Sequence, residues 1–157
     1  MKLAASIFAL ALSTASIASP SEWVFHGHGE YKNSLGEASE YSVTTNKTMT
    51  ADNTYTVIKN VVAENGEAMT FAVKIVKDDL GMIEVQNLDG DVIGSGYYFK
   101  DYAKKMMHIE YETLKGSVEK TIVADLDGYK EIGSAVKNED QSKSVWCEKG
   151  HRVFPIQ

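Results

Sequence analysis

Asn60-Val61-Val62-Ala63-Glu64-Asn65-Gly66-Glu67-Ala68-Met69-Thr70-Phe71-Ala72-Val73-Lys74-Ile75 decides the fold. Asn65-Gly66 separates two runs of alternating character. In the second run Met69, Phe71, Val73 and Ile75 share one face, and Thr70 and Lys74 point the other way. A period of two is the signature of a strand with one buried face. Asn-Gly between two such runs reads as a hairpin, because a type I′ turn needs positive φ at both central residues.

The same punctuation recurs along the chain. Asp89-Gly90 and Asp127-Gly128 are two more candidate type I′ pairs. Further breaks fall at Asn33–Glu37, Ala51–Asn53, Lys77–Gly81, Lys115-Gly116 and Asn138–Gln141. Between them alternation continues: Met107, Ile109 and Tyr111 against His108, Glu110 and Glu112; Val118, Lys120, Ile122, Ala124 and Leu126 against Glu119, Thr121 and Asp125. This predicts strands near 22–31, 39–50, 54–64, 67–77, 82–88, 91–100, 105–114, 117–126, 129–137 and 143–149. A short helix at Lys100–Lys105 is the one competing local reading.

Strands joined by short turns make an antiparallel meander, and an open meander exposes unpaired edges. The expected fold is all-β, a meander closed into an up-and-down barrel of about 8–10 strands. A two-sheet β-sandwich is the alternative. Proline is absent between Ser21 and Phe154, as suits a sheet in which nearly every N–H joins the ladder.

Residues 1–18, MKLAASIFALALSTASIA, have the layout of a secretory signal peptide: Lys2, an apolar run to Leu12, and Ser16-Ile17-Ala18 before the cut. The run is too short to span a bilayer. Residues 19–157 are then a single exported domain, periplasmic or secreted, with no later transmembrane segment. The chain of 157 residues carries a net charge of −6 and one cysteine. Its acidity argues against a nucleic-acid partner, and one thiol cannot form an internal disulfide.

His26-Gly27-His28 sets two imidazoles on one face of a strand, the spacing of a weak metal site, with Glu30, His108 or His151 as further donors. Trp23, Phe25 and Tyr31 take the opposite, inner face. Cys147 is expected to be buried or paired between chains, and its proximity to His151 does not amount to a catalytic pair. No nucleophile elbow or phosphate loop occurs. The expectation is a non-enzyme without cofactor.

Trp23-Val24-Phe25-His26-Gly27-His28-Gly29-Glu30-Tyr31 resembles the first strand of calycin-type barrels. It is similar to the Trp…Gly-x-Gly-x-Tyr opening of the nitrobindin group and, more loosely, to lipocalins, although no glycine stands two residues before Trp23. No haem ligand carries over. The resemblance implies a barrel with an interior pocket for a small apolar or amphipathic ligand. Candidate lining residues are Trp23, Phe25, Tyr31, Met69, Phe71, Val73, Met107, Ile109 and Tyr111. A peripheral envelope partner, recognised by the outer surface of a filled barrel, is the other function expected of such a chain.

Overall fold

The computed structural model describes residues 22–153. The expected signal peptide lies outside them. Ten strands follow in order: β1 (Glu22–Lys32), β2 (Ala38–Ala51), β3 (Thr54–Ala63), β4 (Ala68–Lys77), β5 (Met82–Gln86), β6 (Val92–Asp101), β7 (Lys104–Thr113), β8 (Gly116–Ala124), β9 (Gly128–Lys137) and β10 (Lys143–Val153). Each pairs antiparallel with its sequence neighbours, and β1 pairs with β10, from Val24 opposite Val153 to Lys32 opposite Val145. The meander is therefore a closed barrel, not a sandwich. Among the described residues no helix is long and apolar enough to cross a membrane.

The turns fall where alternation breaks, but their geometry is not the expected type I′. Gly36, Gly66, Gly81 and Gly90 adopt positive φ, whereas Asn65 and Asp89 do not. Each of these glycines donates its N–H to the carbonyl three residues back, at Asn33, Ala63, Asp78 and Asn87 respectively. These are three-residue loops, a type I turn closed by a left-handed glycine. A side chain at the turn's start stabilises most of them. Asn33, Asp78 and Asn87 each accept backbone N–H bonds through their side-chain oxygen. Asp127-Gly128 also departs from type I′: the Asp125 carboxylate accepts the N–H groups of Asp127 and Gly128. At Lys100–Lys105 there is no helix. A tight turn with Tyr102 at positive φ joins β6 to β7.

Alternation assigns every strand an inner and an outer face. A packed inner cluster forms around Ile75, Ile83, Val85 and Ile109, with Tyr55, Val57, Val73, Tyr98, Met107 and Tyr111 against it. A second forms around Tyr41, Val43 and Val61, with Tyr31 and Trp146. β5 is short, and its ladder to β6 slips between Val85 and Gln86. Only Lys74–Lys77 of β4 has a β5 partner. The first half of β4 is left without that neighbour, so Met69 and Phe71 stand 52% and 49% exposed at their inward register positions.

Candidate functional site

The inner face carries two polar layers that alternation alone did not reveal. The deeper one is a closed charge network. Lys59 of β3 lies 2.7 Å from Glu131 of β9 and 2.9 Å from Glu148 of β10. Lys120 of β8 lies 3.3 Å from the other oxygen of Glu131. The Trp146 indole N–H donates to Glu131 at 2.9 Å. The Tyr41 hydroxyl donates to Glu148 at 3.0 Å, and the Tyr129 hydroxyl donates to its other oxygen. Glu131 and Glu148 are direct cross-strand neighbours on the inner face and are 3% and 1% exposed.

Two like charges side by side in the interior are tolerable only with cations and donors on each oxygen. Burial alone pushes the Glu131 carboxyl up. The charges of Lys120 and Lys59, with hydrogen bonds from Lys59 and Trp146, outweigh burial and hold it down at about 2. Burial and the neighbouring carboxylates push the Tyr41 and Tyr129 hydroxyls well above the usual phenol range, so both stay protonated donors. Glycines make room for the rings. A methyl group at Gly133 would overlap the Trp146 indole, and one at Gly29 or Gly150 would overlap the Tyr41 or Tyr129 ring. Gly29, read from sequence beside Trp23 and Tyr31 as part of a strand motif, thus has a spatial reason. The layer has ion pairs and hydrogen bonds on both carboxylates, which suits it to closing the barrel at mid-height rather than to proton transfer.

The second layer rims the mouth formed by the start of β1, the end of β10 and the turns β2–β3, β4–β5, β6–β7 and β8–β9. The Lys47 ammonium sits 4.1 Å from the centre of the Tyr55 ring and 5.6 Å from that of Trp23. The Lys77 ammonium sits 4.5 Å from Tyr55 and 4.2 Å from Tyr98. Two cations thus share one ring, an arrangement each ring's negative face favours and their mutual repulsion opposes. Burial, then the charges of Lys77 and Lys105, lowers Lys47 to about 8. Burial and Lys105 lower Lys77. Among the described residues none of these three lysines has a carboxylate within ion-pair distance. The acidic residues at this end, Asp52, Asp78, Asp79, Asp101, Asp125 and Asp127 in and beside the turns and Glu22 at the start of β1, are exposed.

The register places all nine candidate lining residues on the inner face. Trp23 is at the lysine mouth, where its ring lies 6.3 Å from Tyr55. Phe25 packs edge-on against Tyr129 below it. Val73, Met107, Ile109 and Tyr111 belong to the packed cluster, and burial raises the Tyr111 hydroxyl to about 12. Tyr31 lies near Trp146. Met69 and Phe71 open toward solvent at the other end.

His26 and His28 are exposed on the outer face of β1. His26 contacts Thr44 at 3.2 Å and stands opposite His151 of β10. Among the described residues one three-donor group has metal-holding geometry, and it lies elsewhere: His108, Glu110 and Glu119, on the outer face of β7 and β8. His108 stacks on Tyr97 at 5.1 Å and is fixed by Thr121 at 2.9 Å. Cys147 corrects the expectation of burial. Trp146 and Glu148 take the inward positions, so the thiol between them points outward and is exposed.

No family model and no curated protein matches this chain. Solved structures do. The S-type phycobiliprotein lyase CPES from Guillardia theta superposes with a TM-score of 0.67 at 10% identity, over 85% of this chain and 88% of that one. Rv2717c from M. tuberculosis superposes with a TM-score of 0.59 at 12% identity, over 83% and 91%. The likeness is one of fold: a closed antiparallel barrel of calycin-like architecture.

Proposed function

We propose that this chain is an exported, non-enzymatic barrel of the lipocalin and nitrobindin type that binds a small amphipathic molecule at its lysine-rimmed mouth. One observation carries the reading. Trp23, Tyr55 and Tyr98 converge there with lysines that, among the described residues, no carboxylate pairs with. Aromatic faces with a few convergent polar groups are what small-ligand sites are made of. The packed cluster and the charge network below the mouth limit depth, so the ligand sits at one end rather than along the full barrel. Export rests on the pattern of residues 1–18.

Native mass spectrometry of the protein purified from its own source tests this reading. A reproducible added mass is expected, together with quenching of Trp23 emission on ligand addition. An empty mass, with no displacement of a fluorescent fatty-acid probe, sinks it.

The closed mid-barrel network gives some weight to a second reading, an envelope interaction module. An outer strip of apolar residues, Ile132 and Val145, is 53% and 43% exposed on β9 and β10. Pull-down from an envelope fraction with and without Ile132→Ser/Val145→Ser distinguishes the two.

A further inference from the structure

Resting on the reading of the mouth as a ligand site, we infer that its ligand is an organic anion whose charged group lies between Lys47 and Lys77 and whose flat or apolar body lies on Trp23, Tyr55 and Tyr98.

The inner face is unbalanced in charge. Register positions on it carry Lys47, Lys59, Lys77, Lys100, Lys105, Lys120 and Arg152, with Lys137 at the far end. They carry two carboxylates, Glu131 and Glu148, and both are committed to Lys59 and Lys120. Lys47, Lys77 and Lys105 are left to repel one another, and that repulsion adds to burial, the larger cause, in lowering Lys47 and Lys77. A neutral ligand would leave that repulsion in place, and a cation would add to it. An anion relieves it, and partial burial beside aromatic rings strengthens the attraction relative to open water. Lysine ammonium groups are point charges that accept a carboxylate, sulfonate or phosphate alike, so the inference fixes charge and body, and leaves the oxyacid open.

The geometry also sets the ligand's extent. On β3 the inner residues run Tyr55, Val57, Lys59 from mouth to network. Four strand steps of about 3.3 Å, tilted about 40° to the barrel axis, span roughly 10 Å. A body longer than that must emerge from the mouth.

The test uses two dyes with one ring system, 1-anilinonaphthalene-8-sulfonate and uncharged N-phenyl-1-naphthylamine, titrated into the full-length protein after removal of its leader. The sulfonate is expected to bind at least 10-fold more tightly. Lys47→Met/Lys77→Met is expected to remove that advantage while leaving the neutral dye within 2-fold, and Lys47→Arg/Lys77→Arg to keep most of it. Lys149→Met, on the outer face, serves as the control that changes neither. Equal affinity for the two dyes, or a sulfonate preference that survives the double Met variant, overturns the inference and leaves the mouth standing as a site. Failure of both dyes to bind overturns the site and the inference together.

Discussion

Lys59→Met removes the cation that both buried carboxylates share. Glu131 keeps Lys120 at 3.3 Å and the Trp146 N–H. Glu148 keeps two tyrosine hydroxyls and loses its ammonium partner. Stripping one member from a buried ion pair costs about 3–5 kcal/mol, because a desolvated charge is left without compensation. The expected loss is therefore about 3 kcal/mol or more at pH 7, or a melting point roughly 6–12 °C lower. Urea unfolding of the wild type and the variant measures this. Lys59→Met/Glu148→Gln, which removes the stranded charge and keeps an acceptor for the tyrosines, should be more stable than Lys59→Met alone at pH 7. A loss below about 1 kcal/mol, or no recovery in the double variant, would refute the claim that Lys59 neutralises the network.

Glu131 itself sets an acid limb. Its folded value, about 2, lies below its ordinary value, so its contribution is full above about pH 4.5 and disappears as pH falls toward 2; on the order of 3 kcal/mol is lost in that window, and Glu131→Gln should flatten it. Gly133→Ala puts a methyl group into the Trp146 indole; a loss of about 1–3 kcal/mol is expected, with a red-shifted Trp146 emission in a Trp23→Phe background. Lys47→Met should stabilise the unliganded protein, because a lysine lowered to about 8 opposes folding while charged. The gain, roughly 1–2 kcal/mol at pH 7 after allowance for partial exposure, should fade as pH rises from 8 toward 10.5, and calorimetric melting at pH 7 and pH 10 reads it. Cys147 should react with a disulfide reagent in the native protein as fast as an exposed thiol, since it lies on the outer face.

Period-two alternation made the architecture legible. The ten strands lie within two residues of their expected bounds except at the end of β10, which continues to Val153. What alternation could not convey was pairing across the barrel. Lys59 lies in the inward run Tyr55, Val57, Lys59, Val61, and Lys120 in Val118, Lys120, Ile122, where each looks like an interruption of an apolar face. The Glu131 partner of Lys59 is 72 residues away, a relation fixed by closure, and that of Lys120 is a diagonal neighbour 11 residues on across the β8–β9 hairpin, a relation fixed by register. The mouth was invisible for the same reason: Trp23, Lys47, Tyr55, Lys77 and Tyr98 sit on five different strands. The signal that was available is a lysine on the inward phase of a strand, which is costly unless something pairs with it. Turn type was misjudged because Asn-Gly and Asp-Gly fit two loops equally well. In both, glycine takes positive φ, and only the count of loop residues separates them. Cys147 was misplaced because Val145, on its own face, is apolar, and an apolar neighbour on an outer face says little about burial.

The two lysine layers separate what the fold needs from what it does not. Lys59 and Lys120 have carboxylates at ion-pair distance and sit in a network that closes the barrel. Lys47 and Lys77 have aromatic faces and each other, and their charged forms are held at a disadvantage. A methionine at either position would satisfy the rings without the repulsion, so folding alone does not account for a cation there. A ligand that arrives with the missing negative charge does. The acidity of the whole chain sharpens the same point. A net charge of −6 repels polyanions, whose binding grows with the number of cations they can cover over an extended surface. A mouth whose two lysines share the Tyr55 ring still admits a single small anion, because the attraction acts within about one Debye length and the exterior's repulsion is screened beyond it. Selectivity then comes from the repulsive exterior as much as from the attractive mouth.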